Sequence, residues 1–117
     1  MRHAMRLATL FLAAFTLFAA DPKPLPWEKN HVQIGQALYR ANCVVCHDVD
    51  RPQAESKKFG PSFYRLFQQE KLPLSGDKVT RAVIADKIKA GGIVMPAFAD
   101  KLNQSEINTL LDYLQTK

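Results

Sequence analysis

Cys43-Val44-Val45-Cys46-His47 decides how this chain is read. These are its two cysteines, and a histidine follows the second directly. The order matches a covalent haem attachment site. Each thiol can add across one vinyl group of the macrocycle to form a thioether. The three-residue step puts both sulfurs on one side of a helical turn. His47 then stands where its imidazole can take the iron from one face.

Other readings of these five residues stay open at this point. A tetrahedral zinc site needs four ligands, and Cys43, Cys46 and His47 offer three. The other histidines, His3 and His31, lie upstream, and there is no second C-x-x-C. A thioredoxin-like dithiol wants a βαβ context, and no strand pattern flanks this one. A Cys43–Cys46 disulfide would close a very short loop and constrain little.

The N-terminus supplies a compartment. Arg2, His3 and Arg6 precede an apolar or small stretch from Leu7 to Ala20, and Asp21-Pro22 ends it. That is the layout of a secretory signal. The stretch is shorter than the roughly 18 to 20 residues of a bilayer span. Phe18 stands where a cleavage site after Ala20 would want a small residue, so retention as a membrane anchor is the alternative. Residues 1–20 are therefore expected to be a signal peptide or an uncleaved anchor. Residues 21–30, with Pro22, Pro24 and Pro26, are expected to be an extended linker. Residues 31–117 are expected to form one small domain. Export to the periplasm, or an equivalent extracytoplasmic space, fits thioether attachment, a modification made outside the bacterial cytoplasm.

Losing Arg2 and Arg6 with the leader takes the formal charge from +5 to +3. Two haem propionates would lower it further. No basic run carries interleaved aromatics, so nucleic acid is not an expected partner. A domain this short buries limited apolar area, and a bound macrocycle would serve as core filler.

Helical periodicity marks the domain. A helix is expected over His31–Asn42, capped by Asn30. Gly35 inside it costs roughly 1 kcal/mol relative to alanine, which points to close approach by another backbone. Asp48–Ser56 reads as loop and Phe59-Gly60-Pro61 as turn. A short helix is expected over Ser62–Gln69, with Phe63, Leu66 and Phe67 inward. Another is expected over Lys78–Ala90 behind an Asp77 cap, with Val79, Val83, Ile84 and Ile88 as its buried stripe. The last runs over Gln104–Gln115, where Asn103 and Glu106 resemble a capping box. The fold expected is all-α, with four to five short helices around one covalently bound haem.

Met95 is the sole methionine after the leader, in Gly91-Gly92-Ile93-Val94-Met95-Pro96-Ala97-Phe98. Pro96 pushes Met95 out of the α region. Filling a core gap is a methionine's usual job. With a haem on His47, Met95 becomes the candidate sixth ligand, and a His/Met pair raises the reduction potential.

Gly35 and Tyr39 before the cysteine motif, then Gly60-Pro61, then Gly91 to Phe98, then the helix bearing Tyr113-Leu114 resemble a class I, single-haem bacterial cytochrome c. The resemblance covers about residues 31 to 117. It implies that Gly35 and Tyr39 face Leu110 and Tyr113 where the first and last helices cross. It implies that the Pro61 carbonyl accepts a hydrogen bond from His47. It also implies a haem pocket drawn from Phe63, Leu66, Phe67, Ile84, Ile88 and Phe98. The haem c iron would be held by His47 and Met95. Such a protein carries one electron at a time between redox proteins and does not itself turn over a substrate. Its partners would be a membrane oxidase or reductase, a dehydrogenase or a haem complex. A monomer is expected, touching membrane only if the leader is retained. Lys57, Lys58, Lys87, Lys89 and Lys101 would flank the haem edge and steer an acidic partner. The alternative is a haem-based ligand sensor or peroxidase-like enzyme in which Met95 leaves the iron.

Overall fold

A helix, α1 (Pro26–Asn42), delivers the chain straight into the cysteine motif. The computed structural model describes residues 26–117, so the leader expected over 1–20 lies outside the described residues. After the motif come a long loop, a 3-10 turn over Leu66–Gln68, α2 (Arg81–Ala90) and α3 (Gln104–Gln115). Among the described residues there is no strand, only an isolated antiparallel bridge between Lys71 and Lys78. The fold is all-α, as expected, and the described residues hold three α-helices and one 3-10 turn.

α1 begins at Pro26, five residues before the expected start, so Asn30 lies inside it and is no cap. A proline suits the first position of a helix, whose N–H has no partner to lose. Residues 26–30 are thus helical rather than extended linker, and Trp27 stands exposed on the first turn.

α1 crosses α3, and Gly35 makes the crossing possible. A Cβ at Gly35 would collide with the Thr109 carbonyl oxygen and lie 2.6 Å from the Tyr113 Cβ. Tyr39, one turn on, packs its ring 5.8 Å from that of Tyr113. Ile107, Leu110, Leu111 and Leu114 of α3 are fully buried and form the centre of the core. Ile84, Ala85 and Ile88 of α2 join them, with Phe98 and Leu102. Arg81 ties the start of α2 to α3 through an ion pair with Asp112 at 2.9 Å.

Two further boundaries differ from the sequence reading. α2 starts at Arg81, capped by Thr80, whose hydroxyl accepts from the Val83 N–H at 3.2 Å. Residues 77–79 are instead drawn into the pairing with 70–72: Leu72 N–H donates to Asp77 and Val79 N–H to Glu70. The helix expected over Ser62–Gln69 shrinks to the 3-10 turn, because Arg65 adopts a left-handed backbone at φ 52° that no α-helix tolerates. α3 has the expected bounds, and its capping box closes: Glu106 N–H donates to Asn103 at 2.9 Å and Asn103 N–H to Glu106 at 2.8 Å.

Candidate functional site

The attachment segment is a continuation of α1 by tighter turns. Cys43 N–H donates to Tyr39 at 2.8 Å, and the N–H groups of Cys46 and His47 both donate to the Cys43 carbonyl. Both thiols are free, Cys43 half-buried and Cys46 exposed. Burial, with a lesser contribution from Cys46, pushes the Cys43 pKa up to about 11.

His47 is buried and held on every side. Its Nδ1 lies 2.6 Å from the Pro61 carbonyl oxygen. A carbonyl can only accept, so Nδ1 carries the proton and Nε2 keeps its lone pair. Burial is the main influence lowering the His47 pKa, which keeps the ring neutral. The Phe63 ring stacks on the imidazole at 4.2 Å and 15°. Gly60 lies against the other contacts: a Cβ there would be 2.5 Å from Cε1 and 2.7 Å from Nδ1. The Tyr39 hydroxyl donates to the His47 carbonyl at 2.7 Å. Nδ1–H to carbonyl is the arrangement that fixes the tautomer of metal-binding histidines.

These groups open onto a cavity of about 490 Å³, within the size range of cofactor pockets. Cys43, Cys46, His47, Pro61, Phe63, Leu66, Ile84, Ile88, Met95 and Phe98 all border it. Phe67, expected in the pocket, does not border it and is partly buried against the core instead. The loop that supplies Met95 is anchored by the Phe98 N–H donating to Ile88 at 3.0 Å and by the Gly92 N–H donating to Met95 at 2.9 Å. Leu72, Leu74, Phe59 and Val94 also line the wall and were not singled out in the sequence. Leu72 and Leu74 sit in a proline-broken stretch with no periodicity to flag them. His31 is not at the cavity; its Nδ1 lies 3.3 Å from Asp112 on α3.

The wall is mostly apolar, with Asn42, Ser62, Ser75 and Lys87 as its other polar members besides the cysteine thiols and the imidazole. Lys87 is the one charged side chain of the wall, and it pairs with Asp77 at 3.1 Å. Two unbridged thiols, an imidazole with a fixed tautomer and a mostly apolar cavity suit a covalently attached macrocycle. Residues 30–114, most of the chain, match the family described as cytochrome c oxidase, cbb3-type, subunit III. The chain belongs to this cytochrome c family. No curated protein and no solved structure matched it.

A cytochrome c domain carries haem c, covalently bound, with its iron. The group supplies one-electron chemistry, so the domain is a haem-based electron carrier whose partners are redox proteins. Among the described residues no helix is long and apolar enough to cross a membrane. What the chain itself contributes is two thiols, an imidazole of fixed tautomer and a mostly apolar wall.

Proposed function

We propose that this cytochrome c domain holds a single haem and passes one electron at a time between redox proteins outside the cytoplasm. Cys43 and Cys46 would form the thioethers to the haem, and His47 and Met95 would hold its iron. With both ligands supplied by the protein, the iron would keep no place for a substrate, and the domain would act as a carrier rather than an enzyme. Pro61 orients His47, and Phe63, Ile88 and Phe98 shield the group from water. The single cysteine motif in the sequence supports one haem per chain.

The observation that carries this reading is the sharing of one cavity by Cys43, Cys46, His47 and Met95, although 48 positions separate His47 from Met95 in the sequence. The family's description names an oxidase subunit. A membrane oxidase is accordingly the partner class we favour, reached by a domain that is either released by cleavage after the leader or tethered by it. The basic leader and the proline-bearing segment after it support export.

Spectra of the matured full chain test the proposal. Reduced and oxidised forms should show a low-spin haem c that carbon monoxide does not alter. Met95→Ala should make the reduced protein bind carbon monoxide and should lower the reduction potential. An unchanged spectrum and potential in Met95→Ala would remove the ligand assignment. Mass spectrometry of the same material reads the haem adduct and the true N-terminus together.

A further inference from the structure

Lys58 reaches back fourteen residues to the attachment segment. Its Nζ donates to the Val44 carbonyl and, at 3.3 Å, to the His47 carbonyl. It also pairs with Asp48 Oδ1 at 3.3 Å. Both side chains are largely withdrawn from solvent, 28% and 15% exposed. The far oxygen of Asp48 accepts from the Ser56 hydroxyl at 2.8 Å, and that hydroxyl in turn accepts from the Lys58 N–H at 3.3 Å. The loop between the motif and the Gly60-Pro61 turn is thus closed by a ring of named contacts centred on one ammonium group.

The location has an electrical consequence. The carbonyls that end a helical turn carry partial negative charge, and a cation there is favourable. Lys58 satisfies two of them directly behind His47. The charge sits close to the imidazole in space, since Nζ lies 3.3 Å from the carbonyl oxygen of His47 itself. A half-buried charge is screened less by salt than an exposed one.

We propose that Lys58 is a positioning and tuning residue for the haem. It caps the attachment turn so that Cys46 and His47 hold their places, and its charge raises the reduction potential of the iron. Asp48 sets how much of that charge the iron feels. The reason is charge balance. Taking up one electron from a donor removes one positive charge from the site, so a fixed cation nearby favours the reduced state, and a fixed anion the oxidised state. The inference rests on His47 being the iron's ligand, as proposed above.

The test uses the matured full chain and three variants. Covalent haem content and the spectrum are recorded first, then the reduction potential at low and high salt, then stability to denaturant. Lys58→Met leaves Asp48 unbalanced and should shift the potential down. Asp48→Asn leaves Lys58 unbalanced and should shift it up. Lys58→Arg keeps the charge and should stay close to the parent. The opposite signs are the decisive result, because loosening the loop would destabilise both neutral variants without moving their potentials in opposite directions. Potentials that stay together, or move the same way, while the haem remains attached and six-coordinate overturn the proposal and leave the ligation of His47 standing. A parent protein without covalent haem overturns the underlying reading, and this proposal with it.

Discussion

Gly35 lies so close to Tyr113 that a Cβ on the glycine would be 2.6 Å from the Cβ of the tyrosine. The same added carbon would collide with the Thr109 carbonyl oxygen, which is backbone and cannot rotate away. Alanine would gain about 1 kcal/mol of helix propensity over glycine. Overpacking a tight contact costs about 1–3 kcal/mol, and two such contacts place this site at the upper end. Gly35→Ala should therefore destabilise the protein by about 2 kcal/mol net. Urea unfolding of parent and variant, at equal haem content, checks it. A variant as stable as the parent would mean that α1 and α3 do not cross this closely.

Gly60 makes the same argument at the site itself. A side chain there meets the His47 ring at Cε1 and Nδ1 and the Cys46 carbonyl oxygen, all within 2.7 Å. The imidazole would have to turn, and its hydrogen bond to Pro61 would lengthen. Gly60→Ala should alter the absorption bands of the haem and shift its potential, and lower the yield of covalently loaded protein. Unaltered bands and potential would place His47 further from the turn than the structure has it.

Asn103 closes the capping box of α3, and Asn103→Ala should cost about 1 kcal/mol. Thermal unfolding reads the loss. This helix was legible to the residue because its signals are local: an Asn cap, a Glu three positions on and an apolar stripe. The haem motif and the Met95 segment were legible for the same reason, each being a short run of chemically unusual neighbours. Other boundaries depend on contacts distant in sequence. The start of α2 slips from residue 78 to 81 because the segment before it pairs with Glu70 and Leu72. The helix expected over 62–69 fails at one left-handed residue, Arg65, and Phe67 is not among the residues that line the pocket. Pro26 read as linker because two prolines precede it, yet it starts α1. Lys58 carried no signal beyond its charge, since the carbonyls it meets lie eleven and fourteen residues away.

The carboxyl of Asp77 sits below its ordinary pKa, held first by the Ser75 hydroxyl and then by Lys87. Its charged form is the one the fold favours. The stabilisation is present above the unfolded carboxyl pKa of about 3.9 and is lost as pH falls through the lower folded value. Carbon-detected NMR titration of the reduced, diamagnetic protein should give Asp77 a midpoint below that of a free aspartate. Ser75→Ala should raise the midpoint more than Lys87→Gln does. The reverse order would make the Lys87 ion pair, at 3.1 Å, the main influence.

Arg65 is the only non-glycine residue with positive φ among those described, at 52°. Holding such a residue in the left-handed region costs about 1–2 kcal/mol relative to its preferred backbone. Glycine escapes that cost but gives back about 0.5–1 kcal/mol through its freer unfolded chain. The guanidinium lies 5.9 Å from the Tyr64 ring centre, an exposed cation–π contact worth about 0.5 kcal/mol at most sites of this kind. The balance leaves Arg65→Gly between about 0.5 kcal/mol less and about 1 kcal/mol more stable than the parent, whereas Arg65→Val, β-branched in the same geometry, should be destabilised by more than about 1 kcal/mol, on the order of the strain itself. Denaturant midpoints of the two variants decide it. If valine is tolerated as well as glycine, the turn that carries Phe63 and Leu66 into the pocket is not left-handed at residue 65.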